Sequence, residues 1–199
     1  MSDTSADLAL AKRALRKAAL SRRTEARRLY GSAAPEAAMA ARLAETGLIG
    51  QAGVVAAWLA IGEEIDALAV LAGVGLGQGP VALPVMVAKG QPLAFRLWSA
   101  GEPLVERMWG IREPLDSARE VEPDVLLVPL LAFDGRCQRL GYGGGFYDRT
   151  LARLRAIKPI RAIGLAFDEA EVDIVPRGAY DEPLDHVLTP TRLVTRTPG

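Results

Sequence analysis

Apolar positions along the chain switch between two periods. Over residues 6–29, Leu8, Leu15 and Ala19 fall seven and four apart among Ala, Arg, Lys and Leu, which predicts a helix. Pro35 opens a second helix that runs to about Glu45 and ends at Gly47. Val54 to Ile61 is a continuous apolar run and reads as a buried strand. Ile65 to Val74 is helical, with Leu68 and Leu71 on one face, and the glycine-rich 73–80 stretch is a loop. Further strands are expected at Val81–Val87 (interrupted by Pro84), Leu93–Trp98, Val125–Val128 and Ile160–Phe167, with a short one at Val187–Leu188. Residues 110–124 hold Gly110, Pro114 and Pro123 and read as irregular. Tyr147, Leu151 and Leu154 mark a helix stopped by Pro159, and the last residues, 195–199, are expected to fray.

Strands that are mostly apolar throughout, alternating with helices, predict an α/β fold. One domain over residues 1–199 would hold a mostly parallel or mixed sheet with helices on both faces. The chain has 199 residues, half of them hydrophobic, which is enough for one substantial core. Formal net charge is zero, so no global field favours nucleic acid or an anionic membrane. Residues 1–30 nevertheless carry eight basic side chains against three acidic ones, a local excess of +5 balanced by −5 elsewhere. One cysteine (Cys137) and one histidine (His186) exclude an intrachain disulfide and His- or Cys-based metal sites. No run reaches the roughly 18 apolar residues of a membrane span, and the N-terminal stretch lacks the apolar core of a signal peptide. A cytoplasmic protein without a membrane or nucleic-acid partner is expected.

The unusual chemistry is concentrated in residues 134–149. Four glycines in five positions (Gly141, Gly143, Gly144 and Gly145) follow Arg139 and precede a helix. Such a loop can turn successive N–H groups toward an anion, and the helix N-terminus adds to the same field. It is neither a P-loop nor a dinucleotide fingerprint, because no Gly-Lys-Ser/Thr follows and position 146 is Phe146. A flexible connection is the plain alternative. The flanking Arg139, Tyr142, Tyr147, Asp148 and Arg149 favour phosphate binding. Lys12 and Arg16, four apart, project from one helix face and could clamp phosphates; a solvated basic face is their alternative. Arg13 and Lys17 point elsewhere. Asp148, beside a phosphate loop, is either a magnesium ligand or an acid favoured by the helix dipole. Cys137 and His186 receive no catalytic role.

The run Leu131-Ala-Phe-Asp134, then Cys137, Gln138 and Arg139-Leu-Gly-Tyr-Gly-Gly-Gly-Phe-Tyr-Asp-Arg149, resembles the signature of the 5-formyltetrahydrofolate cyclo-ligase family. Weaker marks fall in order along nearly the whole chain. They are Lys12-x-x-x-Arg16, Glu64-Ile-Asp66, Pro84, Trp109-Gly-Ile111-x-x-Pro114, and Asp181 after Val175-Pro176. Two positions depart from the family pattern: Cys137 stands where glycine is usual, and Phe146 where tyrosine is common.

The resemblance implies a sheet enzyme on a scaffold shared with sugar-phosphate isomerases and CoA transferases, acting as a monomer on small molecules. The implied reaction uses ATP and Mg²⁺ to convert 5-formyltetrahydrofolate to 5,10-methenyltetrahydrofolate through a phosphorylated formyl (imidate) intermediate. It implies Lys12 and Arg139 as catalytic. It implies Lys12, Arg16, Arg139, Leu140, Gly141, Tyr142, Gly143, Gly144, Gly145, Phe146 and Tyr147 around ATP. Leu59, Glu64, Trp109, Tyr142 and Phe146 would hold the folate, and Asp148 and Asp181 the metal. Other readings are a different enzyme on the same scaffold, a non-catalytic binder of folate or nucleotide, and nucleic-acid binding through the basic helix.

Overall fold

The computed structural model describes residues 3–50, 52–76 and 79–197. Four helices, α1 (Asp3–Tyr30), α2 (Ala34–Thr46), α3 (Ala67–Gly73) and α4 (Phe146–Ile157), surround eleven short strands. Seven of these form one sheet in the order β11-β10-β9-β6-β1-β2-β3. They are β1 (Val55–Ala56), β2 (Val81–Met86), β3 (Leu93–Trp98), β6 (Val125–Pro129), β9 (Arg161–Leu165), β10 (His186–Leu188) and β11 (Leu193–Thr195). The five inner strands pair in parallel, and β3 and β11 close the edges antiparallel. The sheet is therefore mixed, as expected.

Alternation along the inner strands assigns the two faces. Val125, Leu127, Ile163 and Leu165 pack with Met39 and Leu43 of α2 and Val70 and Leu71 of α3. Leu126, Val128 and Ala162 point the other way and pack with Leu151 and Leu154 of α4. Both faces are thus covered, which is why these strands read as unbroken apolar runs. α3 begins where the Asp66 side chain accepts from the backbone of Leu68 at 3.0 Å and Ala69 at 3.1 Å. α2 ends at Gly47 in the left-handed conformation, φ 65°. α1 runs alongside the sheet and places Ala19 against Leu131, Ala132, Leu140 and Val175.

Several expectations need correction. The strand expected over Val54–Ile61 is only two residues long, because the chain turns out of the sheet after Ala57. The following apolar residues are a wall and not a strand: Trp58 is buried, while Ile61 is 57% exposed. The segment expected to be irregular at 110–124 begins with a strand. β5 (Arg112–Pro114) pairs antiparallel with β4 (Leu104–Glu106) as a hairpin beside the main sheet. A second hairpin, β7 (Ala132–Phe133) with β8 (Arg139–Leu140), precedes the glycines. β9 stops at Leu165, two residues before the expected end at Phe167. Thr195, expected to fray, closes β11; of that tail, residues 198–199 lie outside the described residues. The 73–80 loop is likewise described except for residues 77–78.

Candidate active site

A cleft of about 810 Å³ opens at the C-terminal ends of β1, β2 and β6, where ligands bind in parallel sheets. Every residue that the family resemblance places at ATP, folate or metal lines it: Lys12, Arg16, Leu59, Glu64, Trp109, the whole of 139–148, and Asp181; Arg149, also expected beside phosphate, does not. Segments more than a hundred positions apart therefore meet in one place. Arg13 and Lys17, expected to face away, are exposed.

One end is cationic. Lys12 of α1 pairs with Asp181 of the 176–185 segment. One turn further along α1, Arg16 Nε donates to the Gly141 carbonyl at 2.8 Å, which fixes the glycine loop to the helix. Gly143 has φ 105°, a conformation side chains avoid, and a Cβ there would lie 3.3 Å from the Arg16 guanidinium carbon. The loop can pass this close to Arg16 only as glycine. α4 then starts at Gly145 with no side-chain cap, leaving its first turn to other acceptors.

Arg139 lies beneath the loop with its side chain 4% exposed and donates to Asp148 Oδ1 at 2.8 Å. Burial pulls the Arg139 pKa down, and the neighbouring Asp148 carboxylate opposes that shift. The same Asp148 oxygen accepts from Glu182 N at 3.2 Å. Asp148 and Asp181 thus both line the cleft, each already joined to a cation of the chain. Among the described residues no group of three or more His, Cys, Asp or Glu side chains is placed to hold a metal.

The other end is built on Glu64. Its Oε2 accepts from Trp58 Nε1 and from Ile61 N, both at 2.9 Å, and its Oε1 accepts from the Tyr142 hydroxyl. The residues after β1 leave the sheet to make these bonds. Burial, then the charge of Glu64, pushes the Tyr142 pKa up to about 12. Tyr147 shifts in the same direction, chiefly by burial. Leu59 and the exposed Trp109 form apolar walls, and Trp109 meets the Phe146 ring edge-on with centroids 6.5 Å apart. Trp109 adopts φ 60°, a strained conformation for a bulky residue, in the turn between β4 and β5.

Among the cleft residues missed from the sequence are Arg23 and Glu113. Arg23 donates to the Tyr142 hydroxyl at 2.6 Å and lies 3.7 Å from Glu64. Its signal was present: position 23 falls on the helix face already marked by Lys12 and Arg16. Glu113 carried no signal beyond its place in the Trp109-to-Pro114 mark.

Residues 9–190 match the model of the 5-formyltetrahydrofolate cyclo-ligase family. A 5-formyltetrahydrofolate cyclo-ligase of Escherichia coli K12 is 47% identical over 70 residues, 35% of this chain and 38% of that protein. The enzyme of the same description from Mycolicibacterium smegmatis is 45% identical over 71 residues, 36% of each chain. These alignments span little more than a third of the relatives' length. Similarity to the solved structure of 5,10-methenyltetrahydrofolate synthetase from Aquifex aeolicus extends over 94% of both chains, with TM-score 0.73 and 26% identity. The synthetase structure from Mycoplasma pneumoniae shares the fold, with TM-score 0.66 and 20% identity over 90% of this chain and 98% of that one.

Proposed function

This chain belongs to the 5-formyltetrahydrofolate cyclo-ligase family, and on that premise we propose that it converts ATP and 5-formyltetrahydrofolate to 5,10-methenyltetrahydrofolate, ADP and phosphate. The observation that carries this reading is the convergence of Lys12, Arg16, Arg139 and the glycine loop at one end of a cleft whose other end holds Glu64 and Tyr142. Two ligands of different character fit such a cleft. One is polyanionic; the other is a planar ring with N–H donors.

The formyl oxygen attacks the γ-phosphorus of ATP, and the bond to ADP breaks. N10 then attacks the formyl carbon, the carbon–oxygen bond breaks, and phosphate leaves; the N10 proton is lost to solvent. The amide oxygen is a weak nucleophile, so alignment and charge stabilisation supply most of the catalysis. Lys12, Arg16 and Arg139 would neutralise the phosphates, Arg139 from a buried position where its charge acts through little water. Backbone N–H groups of Gly141 to Gly145 would add uncharged donors. Leu140, Phe146 and Tyr147 complete that end. Glu64 would accept from the pterin's N–H groups, with Leu59, Trp109, Tyr142 and Phe146 as walls.

Magnesium is bound by one or two carboxylates with phosphates and waters completing the shell. Asp148 and Asp181 at the cationic end fit an ion that arrives with ATP, and not a cage preformed in the chain. There it would supply charge neutralisation on the phosphates. The pairing of Lys12 with Asp181 then has a use: phosphate would draw the ammonium and free the carboxylate. We read the protein as a monomer acting on small molecules. We read it as cytoplasmic.

An absorbance assay tests the reading, because methenyltetrahydrofolate absorbs at longer wavelength than its substrate. A signal that requires both ATP and Mg²⁺ is expected. Folded protein that gives none would count against it.

A further inference from the structure

Four acidic residues are buried among the described residues: Glu36, Glu64, Glu113 and Asp134. The fold satisfies three of them. Glu36 pairs with Arg27 at 2.8 Å and accepts from Asp66 N at 3.1 Å. Asp134 accepts from the backbone of Arg136, Gln138 and Val175 at 2.9, 3.1 and 3.0 Å. Glu64 accepts from three donors, with Arg23 close by.

Glu113 differs. It is 3% exposed, and its Oε1 accepts from Met86 N at 3.0 Å. Among the described residues its side chain makes no other hydrogen bond and no ion pair. A carboxylate removed from water needs more than one neutral donor to offset its lost hydration. Glu113 also forms part of the cleft wall, between Met86 of β2 and Trp109 and Ile111 of its own hairpin. The wall thus offers an apolar, partly aromatic surface with one unspent acceptor oxygen. That combination suits a flat ring carrying N–H groups along one edge.

We infer that Glu113 is a specificity-determining residue that accepts hydrogen bonds from the amino-bearing edge of a bound heteroaromatic ring. This rests on the proposed function, which brings two such rings to the cleft, the adenine of ATP and the pterin of the folate. Both present a ring amino group, and the pterin adds an adjacent ring N–H. The hairpin carrying Trp109 and Glu113 would then read ring identity while the opposite end of the cleft holds phosphate.

The test is titration calorimetry of wild type and Glu113→Gln with ATP, with ITP (which has oxygen in place of the amino group) and with 5-formyltetrahydrofolate. The amide keeps an acceptor for Met86 N–H and replaces the open oxygen with a donor. The expected result is binding of one ring ligand weakened by about ten-fold or more, with the other within about two-fold. Loss of ATP binding with a smaller ATP preference over ITP assigns Glu113 to adenine. Loss of folate binding, with ATP and ITP unmoved, assigns it to the pterin. Both ligands unchanged, or both weakened equally as in a deformed cleft, overturns the inference. Wild type that binds neither ligand removes the proposed function as well; wild type that binds both beside an unchanged variant removes Glu113 alone. Should the variant fail to fold, desamino analogues of both ligands on wild type give a second reading. Analogues that each bind like their parents overturn the inference.

Discussion

Arg139 and Asp148 hold each other across the glycine loop at 2.8 Å, with the arginine side chain almost sealed from solvent. The loop between them is therefore anchored at both ends by one ion pair. Asp148→Ala leaves a buried guanidinium without its carboxylate, a change that costs about 3–5 kcal/mol. Urea unfolding should show a lower midpoint and a loss of stability of that order. An unchanged midpoint would mean that Arg139 is stabilised by something other than Asp148.

Lys12 and Asp181 make the contrasting pair, each about a fifth exposed on its side chain. Lys12→Ala should change stability by less than about 1 kcal/mol. It should still raise the KM for ATP by about ten-fold or more, the worth of a charge-assisted bond to phosphate. Folate affinity should stay put. Steady-state kinetics on both substrates decides this, and unaltered ATP kinetics would remove Lys12 from the phosphate site.

Glu64→Ala should act on the other substrate. Folate binding is expected to weaken by about ten-fold while ATP binding holds, and stability should drop by about 1–3 kcal/mol because the Trp58 indole and Ile61 N–H lose their acceptor. Calorimetry with each ligand separates the two. Undiminished folate affinity would place the pterin elsewhere.

Burial pushes the Cys137 thiol up to about 11 from the usual 9.0, with Asp134 adding to the shift. The native fold therefore favours the neutral thiol. This contribution is fully present below pH 9.0, the unfolded value, and is lost as pH rises through about 11. At pH 8 a thiol reagent should label folded protein far more slowly than urea-unfolded protein. Equal rates would contradict the burial of this side chain.

Gly164→Ala should destabilise without touching the cleft. A Cβ there would sit 2.5 Å from Leu130 Cδ2 and 2.6 Å from Leu184 Cδ1, so both leucines must move. Overpacking of this kind costs about 1–3 kcal/mol. The melting temperature should fall with KM values retained.

The parts legible in the sequence were those written in one local pattern. The glycine loop, the Lys12/Arg16 spacing and the largely apolar strands Val125–Pro129 and Arg161–Leu165 each announce themselves within a few residues. What was misread depends on distant partners. Trp58 to Ile61 look like a strand because they are apolar, yet they are apolar to line a cleft, and Glu64 accepts from the Ile61 N–H that a neighbouring strand would have taken. Two- and three-residue strands such as Ala132–Phe133 and Arg112–Pro114 are too short to show alternation. Arg23 was hidden among seven other basic residues of the same segment, and only the positions of Tyr142 and Glu64 set it apart.

The first helix and the segment around Asp181 meet across 169 positions of chain. On a ribosome the helix is made at the outset, while the partner that completes the pocket emerges near the end. The central strands can pair before that moment, but a closure of such separation comes late and slowly. A nascent chain halted before Asp181 should thus hold β3, β2, β1, β6 and β9 without β10 and β11, and an incompetent pocket. Ligand would then favour the completed chain over its precursors, and folate or ATP in the surrounding solution would act during synthesis as a selective brace for the finished protein.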